Sequence, residues 1–307
     1  MSAKVLDGKA IASKIKKELK KEIESLIKKY QKVPVLVSIQ VSRDAGIESY
    51  VKAQKKAADC LGIGYRRQLL AEDIDAGGLI EKIEELNNRD EVTAIILQQP
   101  LSEKVMEEER QGNISKTAFE QFIDAAKDAE GTHLKNLGSL FYGSKLETAS
   151  FGKLAPCTAM AVMELLDSLN GDPREEDLRG KEVVIVGHSK IIGKPLSLLL
   201  LNRFATTTVC HIATSERNHL KEHVERAEVL ISAVGQPGLI KGGWIKEGAV
   251  VIDVGTSRIN GKLAGDVEFD KAKERASCIT PVPGGVGPLT TIMLMKNVVT
   301  LYRKAND

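Results

Sequence analysis

At 307 residues the chain has length for two domains and a substantial core. Its 44 basic residues are balanced by 42 acidic ones, which leaves no electrostatic case for nucleic acid. No apolar run nears the roughly 18 residues of a membrane span and the first residues lack a signal-peptide pattern, so a soluble cytoplasmic enzyme is the expected class.

Lys9 to Tyr30 reads as an amphipathic helix, with Ile11, Ile15, Leu19, Ile23, Leu26 and Ile27 on one face. Val35–Val41 follows as a strand, Asp44–Ser49 as a polar loop and Tyr50–Leu61 as a second helix, ended by Gly62–Gly64. Arg67–Leu70 is the second strand, Leu79–Leu86 a helix and Thr93–Gln98 the third strand. This alternation argues for a parallel sheet covered by helices. Ser102–Thr117 breaks the rhythm and reads as a surface insertion, partly helical. Ala125–Gly131 is a turn, and Phe151–Thr158 a loop leading into a helix over Ala159–Leu169. Asn170–Gly180 is a polar loop before the second domain.

Glu182–Pro195, EVVIVGHSKIIGKP, has the pattern of strand, tight turn and helix that opens a βαβ unit. Gly187 lets the chain turn and Gly193 permits close backbone approach. The first turn of such a helix tolerates Pro195 and attracts phosphate. The spacing is not G-x-G-x-x-G, so the stretch alone is a weak dinucleotide signal. Val183–Val186, Thr207–Cys210, Val229–Ala233 and Val250–Val254 read as strands with a helix between each pair, a doubly wound sheet. Thr290–Tyr302 is a long closing helix. Cys60, Cys157, Cys210 and Cys278 lack CxxC spacing and are read as buried thiols of a reducing compartment, with no metal site.

Three stretches are candidates for chemistry. Tyr50 and Gln54 share a helix face one turn apart. Gln98-Gln99-Pro100 lies at a strand's carboxyl end, where open α/β sheets place ligands. Thr280–Pro288, TPVPGGVGP, is a rigid loop with accessible backbone. Each has an ordinary reading as well: a half-buried aromatic, a strand-end cap and a linker between domains.

Taken together, these residues resemble the bifunctional methylenetetrahydrofolate dehydrogenase/methenyltetrahydrofolate cyclohydrolase family. The resemblance is carried by Leu6-Asp7-Gly8-Lys9, Tyr50-Val51, Gly62-Ile63, Gln98-Gln99-Pro100-Leu101, Lys127-Asp128-Ala129-Glu130-Gly131 and Pro156-Cys157-Thr158. It continues through Val186-Gly187-His188-Ser189, Val251-Ile252-Asp253-Val254-Gly255, Gly265-Asp266-Val267 and Thr280–Pro288. The resemblance implies two α/β domains with a cleft between: an N-terminal parallel-sheet folate domain, residues 1–149 plus 286–307, and a Rossmann-type doubly wound NAD(P) domain, residues 150–285. It implies a tetrahydrofolate substrate, NAD or NADP as cofactor, and a homodimer without nucleic-acid or membrane partners. Tyr50, Gln54, Gln98 and Glu130 take the catalytic positions. Tyr50, Gln98, Glu130, Pro283, Gly284 and Gly285 would hold the folate. Gly187, His188, Ser189, Ile191, Gly193, Ile212, Thr256 and Gly285 would hold the cofactor.

Physical chemistry agrees with those roles. Dehydrogenation needs two bound rings in contact and tolerance of a cationic product. Tyr50 offers a ring to stack and a hydroxyl to hydrogen-bond. Two departures from the family stand out. Its cyclohydrolase step relies on a lysine four residues after the tyrosine, where this chain has Gln54, and an amide cannot act as a general acid or base. Lys52 and Lys55 point about 200° and 100° away around the helix and are poor substitutes. Glu130 is a methylene longer than the family's usual aspartate, and the two changes can compensate in reach. NADP users of the family commonly carry arginine at position 188 and serine at 212; His188 and Ile212 bind a dianion poorly, which favours NAD. The leading expectation is a dehydrogenase with weak or absent cyclohydrolase activity. The alternatives are a fully bifunctional enzyme and a catalytically silent binding homologue.

Overall fold

A computed structural model describes residues 2–42, 44–110, 119–142, 154–169 and 178–307. In chain order its elements begin with β1 (Lys4–Val5), α1 (Gly8–Tyr30), β2 (Val35–Gln40), α2 (Ala45–Leu61), β3 (Gly64–Leu69), α3 (Ala76–Asn87), β4 (Ala94–Leu97) and α4 (Glu103–Arg110). After a 3₁₀ turn at Phe119–Phe122 come α5 (Leu134–Phe141), α6 (Cys157–Asp167), β5 (Glu182–Val186), α7 (Gly193–Leu201), β6 (Thr206–Cys210), α8 (Ile212–Glu216), α9 (Leu220–Arg226) and β7 (Val229–Ser232). The remainder is β8 (Val250–Asp253), β9 (Ser257–Ile259), β10 (Lys262–Ala264), α10 (Phe269–Arg275), β11 (Cys278–Ile279) and α11 (Val286–Asn306). The chain divides into two units: Ile15–Ser139 with Glu147–Ala155 and Leu294–Asp307, and Met1–Lys14 with Leu140–Leu146 and Pro156–Met293.

The unit built on Ile15–Ser139 carries a three-stranded parallel sheet in the order β3-β2-β4. Strand alternation divides β2 between two environments. Val37, Ile39 and Val41 enter an apolar core with Leu79, Ile83, Leu86, Ile95, Leu97 and Phe119. Leu36, Ser38 and Gln40 lie on the opposite face, in register with Tyr65, Arg67 and Leu69 of β3. That second face meets α2 through polar bonds: Gln40 Nε2 donates to Glu48 Oε1 at 2.9 Å, and Arg67 pairs with Glu48.

The loop expected over Asp44–Ser49 is instead the start of α2. Asp44 caps the helix, its carboxylate accepting from the N–H groups of Gly46 (2.7 Å) and Ile47 (3.2 Å). Gly62 closes α2 in the left-handed conformation, and β3 begins at Gly64, earlier than Arg67, because Gly64 already pairs with Val35. The Ser102–Thr117 segment is more than surface decoration. Leu101 and Val105 are buried in the same core as Phe119, and α4 is the helical part; residues 111–118 lie outside the described residues.

The other unit has a six-stranded, wholly parallel sheet in the order β1-β11-β8-β7-β5-β6. Its inner strands β5, β7 and β8 are near-continuous apolar runs, as burial on both faces requires, whereas the edge strands β6 and β1 are more polar and more exposed. Chain order reverses beside β5: β6 follows on one side and β7 on the other. This is the switch point at which doubly wound sheets bind ligands. The helix expected between β7 and β8 is only a 3₁₀ turn, Gly242–Trp244, because Gly235, Pro237, Gly238, Gly242 and Gly243 punctuate that segment. β1, β11 and the β9–β10 hairpin are additions that periodicity does not reveal. The helix expected from Ala159 begins at Cys157, and the loop expected over Asn170–Gly180 lies largely outside the described residues. None of the four cysteines is in a disulfide, and only Cys157 and Cys210 are buried; Cys60 is exposed and Cys278 half-buried.

Candidate functional site

The unit of β2, β3 and β4 gathers Tyr50, Gln54 and Gln98. Tyr50 is half-buried on α2, and Gln54, one turn later, is fully buried. Gln54 Oε1 accepts from the Tyr65 hydroxyl at 2.9 Å and from Gln98 Nε2 at 3.0 Å. Gln98 Nε2 also donates to Ser38 Oγ at 3.0 Å, and Gln54 Nε2 lies 3.4 Å from Gln98 Oε1. Position 54 therefore holds a neutral amide inside a neutral network. Its one ionisable member is Tyr65, whose phenol burial pushes above its usual range, with Ser38 and Arg67 pulling the other way.

Glu130 sits half-buried on a turn whose neighbours are structural. Lys127 Nζ donates to the carbonyls of Asn87 (2.7 Å) and Arg89 (2.8 Å) past the end of α3. Asp128 is buried and accepts from the N–H groups of Gly131 (2.9 Å) and His133 (2.8 Å) and from Asn136 Nδ2 (2.9 Å). Burial raises the Asp128 carboxyl above its ordinary value, and those donors hold it down. Gly131 has φ 78°, and a Cβ there would lie 2.5 Å from the Ala155 carbonyl. Asn297 of α11 donates to the carbonyls of Ala129 (2.9 Å) and Ala155 (3.1 Å), fastening the turn from behind.

The six-stranded unit holds the other predicted positions. Gly187 ends β5 with φ 117°, and a Cβ on it would lie 2.4 Å from the Ala233 carbonyl beyond β7. A Cβ on Gly193 would lie 1.9 Å from the Gly187 carbonyl. The turn is thus backbone packed on backbone at the switch point, and in the first turn of α7 the Lys194 N–H donates to the Ser189 carbonyl (3.1 Å) and the Leu196 N–H to the Ile192 carbonyl (2.8 Å). His188, Ser189 and Ile191 are exposed along it. The His188 and His211 rings meet edge to face at 5.3 Å. With Lys194, Ser197, Leu198 and Val209 they line an open pocket of about 580 Å³. Close backbone, a helix start and cationic or ionisable side chains without a carboxylate fit the phosphate-bearing part of a dinucleotide.

Ile212 is not in that lining. It is 74 % exposed at the start of α8, next to His211, which is in the lining. Thr256 is exposed after β8, its hydroxyl donating to the Val254 carbonyl at 3.2 Å. Pro283, Gly284 and Gly285 form the turn before α11, closed by the Gly285 N–H donating to the Pro281 carbonyl at 2.9 Å. These three belong to the six-stranded unit, whereas Tyr50, Gln98 and Glu130 belong to the other.

Sequence reasoning missed Ser38, Tyr65, Asp253 and Asp266. Asp253 accepts from the N–H groups of Gly255 (3.0 Å), Asp266 (3.0 Å) and Val267 (2.9 Å). Asp266 accepts from Ser232 Oγ (3.0 Å) and from the N–H groups of Val234 (2.7 Å) and Gln236 (2.8 Å). Together they tie down the loops after β7 and β8. A buried carboxylate inside VIDVG and GDV was the available signal.

Comparison with known proteins identifies the family. The tetrahydrofolate dehydrogenase/cyclohydrolase catalytic-domain family matches residues 6–130, and the corresponding NAD(P)-binding-domain family matches residues 156–306. The bifunctional protein FolD of Aquifex aeolicus is 41% identical over 98% of this chain and 96% of its own length. The crystal structure of the bifunctional enzyme FolD from Campylobacter jejuni superposes with a TM-score of 0.87 at 37% identity, covering 99% of each chain. The Trypanosoma brucei enzyme, solved with NADP cofactor and an inhibitor, gives 0.86 at 36% identity, covering 99% of this chain and 98% of that one.

Proposed function

We propose one dominant activity for this chain, which belongs to the tetrahydrofolate dehydrogenase/cyclohydrolase family: oxidation of 5,10-methylenetetrahydrofolate to 5,10-methenyltetrahydrofolate, with little or no hydrolysis of the product. Dehydrogenase chemistry follows from the family. The observation that carries the restriction is Gln54. It stands where the family's hydrolytic lysine is expected, is fully buried, and is bound only to neutral partners. Adding water to the methenyl carbon requires a proton to be taken up and passed on, and no group of that network titrates near neutral pH to do so.

In this reading the folate is held by residues 1–149 with 286–307. Tyr50 stacks on it, Gln98 hydrogen-bonds it, and the Glu130 carboxylate accepts from its amino group and ring nitrogen. The bound nicotinamide supplies the hydride acceptor. The protein's part is to seat both reactants, exclude water and place no cation against the developing positive charge. The turn Gly187–Gly193 with Ser189 and Ile191 seats the cofactor, with Thr256 and Gly285 beyond it. NAD is preferred, because neither His188 nor Ile212 brings a fixed positive charge to a ribose 2′-phosphate; Lys194 supplies a residual affinity for NADP. A homodimer is the proposed state.

The name of the Aquifex relative favours a second reading, a fully bifunctional enzyme in which water and Gln54 suffice for hydrolysis. Both activities measured on the pure protein decide between them. The expected result is oxidation of methylenetetrahydrofolate, with methenyltetrahydrofolate hydrolysed at the rate without enzyme. Gln54→Lys is expected to raise hydrolysis by about 100-fold, the lower range for a positioned acid–base group. Wild-type hydrolysis well above background, abolished by Tyr50→Phe, overturns the proposal.

A further inference from the structure

The polar network around position 54 has a member outside α2. Tyr65 lies on β3, the edge strand of the three-stranded sheet, on the face shared with Ser38. Its hydroxyl donates to Gln54 Oε1 at 2.9 Å. Gln98 Nε2 donates to the same Gln54 Oε1 and to Ser38 Oγ, each at 3.0 Å. The bonds form a continuous network of four side chains drawn from β2, β3, α2 and the end of β4, with Tyr65 anchoring one end of it at Gln54.

Those bonds have a chemical consequence. Both hydrogens of Gln98 Nε2 are committed within the network. Gln98 Oε1 keeps a single long contact, 3.4 Å from Gln54 Nε2, and so retains most of its accepting capacity. A neutral carbonyl dipole suits a substrate carbon that becomes cationic when hydride leaves, whereas an ammonium beside it would oppose the step. Amide rotation is what the network must prevent. Without the phenol, Gln54 Oε1 loses a donor, and the two amides can turn over together.

We infer that Tyr65 is a positioning residue: its hydroxyl anchors Gln54 Oε1 in the network with Gln98 and Ser38 and thereby holds the Gln98 carbonyl as the acceptor presented to the folate. This rests on the proposed role of Gln98 as a folate contact. It makes Gln54 a structural link in the dehydrogenase site, beyond being the loss of a lysine.

The test is a double-mutant cycle on the full-length protein, read with methylenetetrahydrofolate and NAD. Tyr65→Phe is expected to lower kcat/KM for the folate by about tenfold and leave the KM for NAD unchanged. Gln98→Ala is expected to lower it further, and adding Tyr65→Phe to Gln98→Ala is expected to change it less than twofold. Ser38→Ala removes the second acceptor of Gln98 Nε2 and should repeat the Tyr65→Phe effect, which keeps the question decidable if Tyr65→Phe folds poorly. Equal, additive losses in both backgrounds, a parallel rise in the KM for NAD, or an unchanged Tyr65→Phe enzyme overturn the inference. So does a Gln98→Ala enzyme as active as wild type. Wild-type hydrolysis of methenyltetrahydrofolate, by contrast, overturns the functional reading and leaves the network's role standing.

Discussion

His188 shows how one side chain bears on cofactor choice. Its ring packs against His211 over a pocket that Lys194 also lines. Replacing it by arginine places a permanent charge with paired donors at this position. His188→Arg is expected to raise kcat/KM for NADP about tenfold and leave that for NAD within about twofold, a gain on the scale of one charge-assisted hydrogen bond; steady-state kinetics with each cofactor at pH 8 checks it. Individual residues were unevenly legible. Tyr50, Gln54 and Gln98 stood out because helix phase and strand end are local properties, and Ser38 could have been found as a polar residue within an apolar strand. Tyr65 could not, since its partner Gln54 lies 11 positions away on another element and meets it only once α2 and β3 are assembled.

At the scale of elements, long periodic segments were readable and their ends were not. α1, α2 and α3 follow from spacing of apolar residues, but Asp44-Ala45-Gly46 has the composition of a turn and conceals the cap of α2. Asp44→Ala removes an acceptor for two backbone N–H groups and should cost about 1 kcal/mol, measured by urea denaturation. The turn between β5 and α7 is a stricter case. A methyl group on Gly193 would sit 1.9 Å from the Gly187 carbonyl, so the loop must open to admit it. Gly193→Ala is expected to weaken NAD binding at least tenfold, read by calorimetric titration, with α7 and β6 still formed by circular dichroism. Tight NAD binding by this variant would show that the turn does not seat the cofactor. β1 and β11, two residues each, carry no periodicity and exist only as pairings with a sheet already made.

For the molecule as a whole, alternation of strand and helix announced parallel sheets. The order β1-β11-β8-β7-β5-β6 was legible only in its central part, because its outer strands are recruited from the two ends of that unit's sequence. What fastens the crossing loops is buried charge, and that makes stability depend on pH. Burial pushes the Asp253 carboxyl up to about 6 from 3.8, the nearby Asp266 carboxylate adding to the rise and three backbone N–H donors opposing it. A carboxyl that is raised in the folded state keeps a proton which the unfolded chain has already released. Between about pH 4 and 6 the native state therefore binds more protons, and the contribution of this group is fully present below that window and lost as pH rises through it. Two pKa units correspond to about 3 kcal/mol, an upper limit for the change across the window. Asp253→Asn abolishes the titration and also sets an amide N–H₂ against backbone N–H donors, so the variant should be less stable throughout. Its deficit against wild type should be larger at pH 4 than at pH 7, by up to that amount. Urea denaturation of both proteins at the two pH values measures the difference, and a deficit that grows toward pH 7 would mean that Asp253 titrates below its unfolded value.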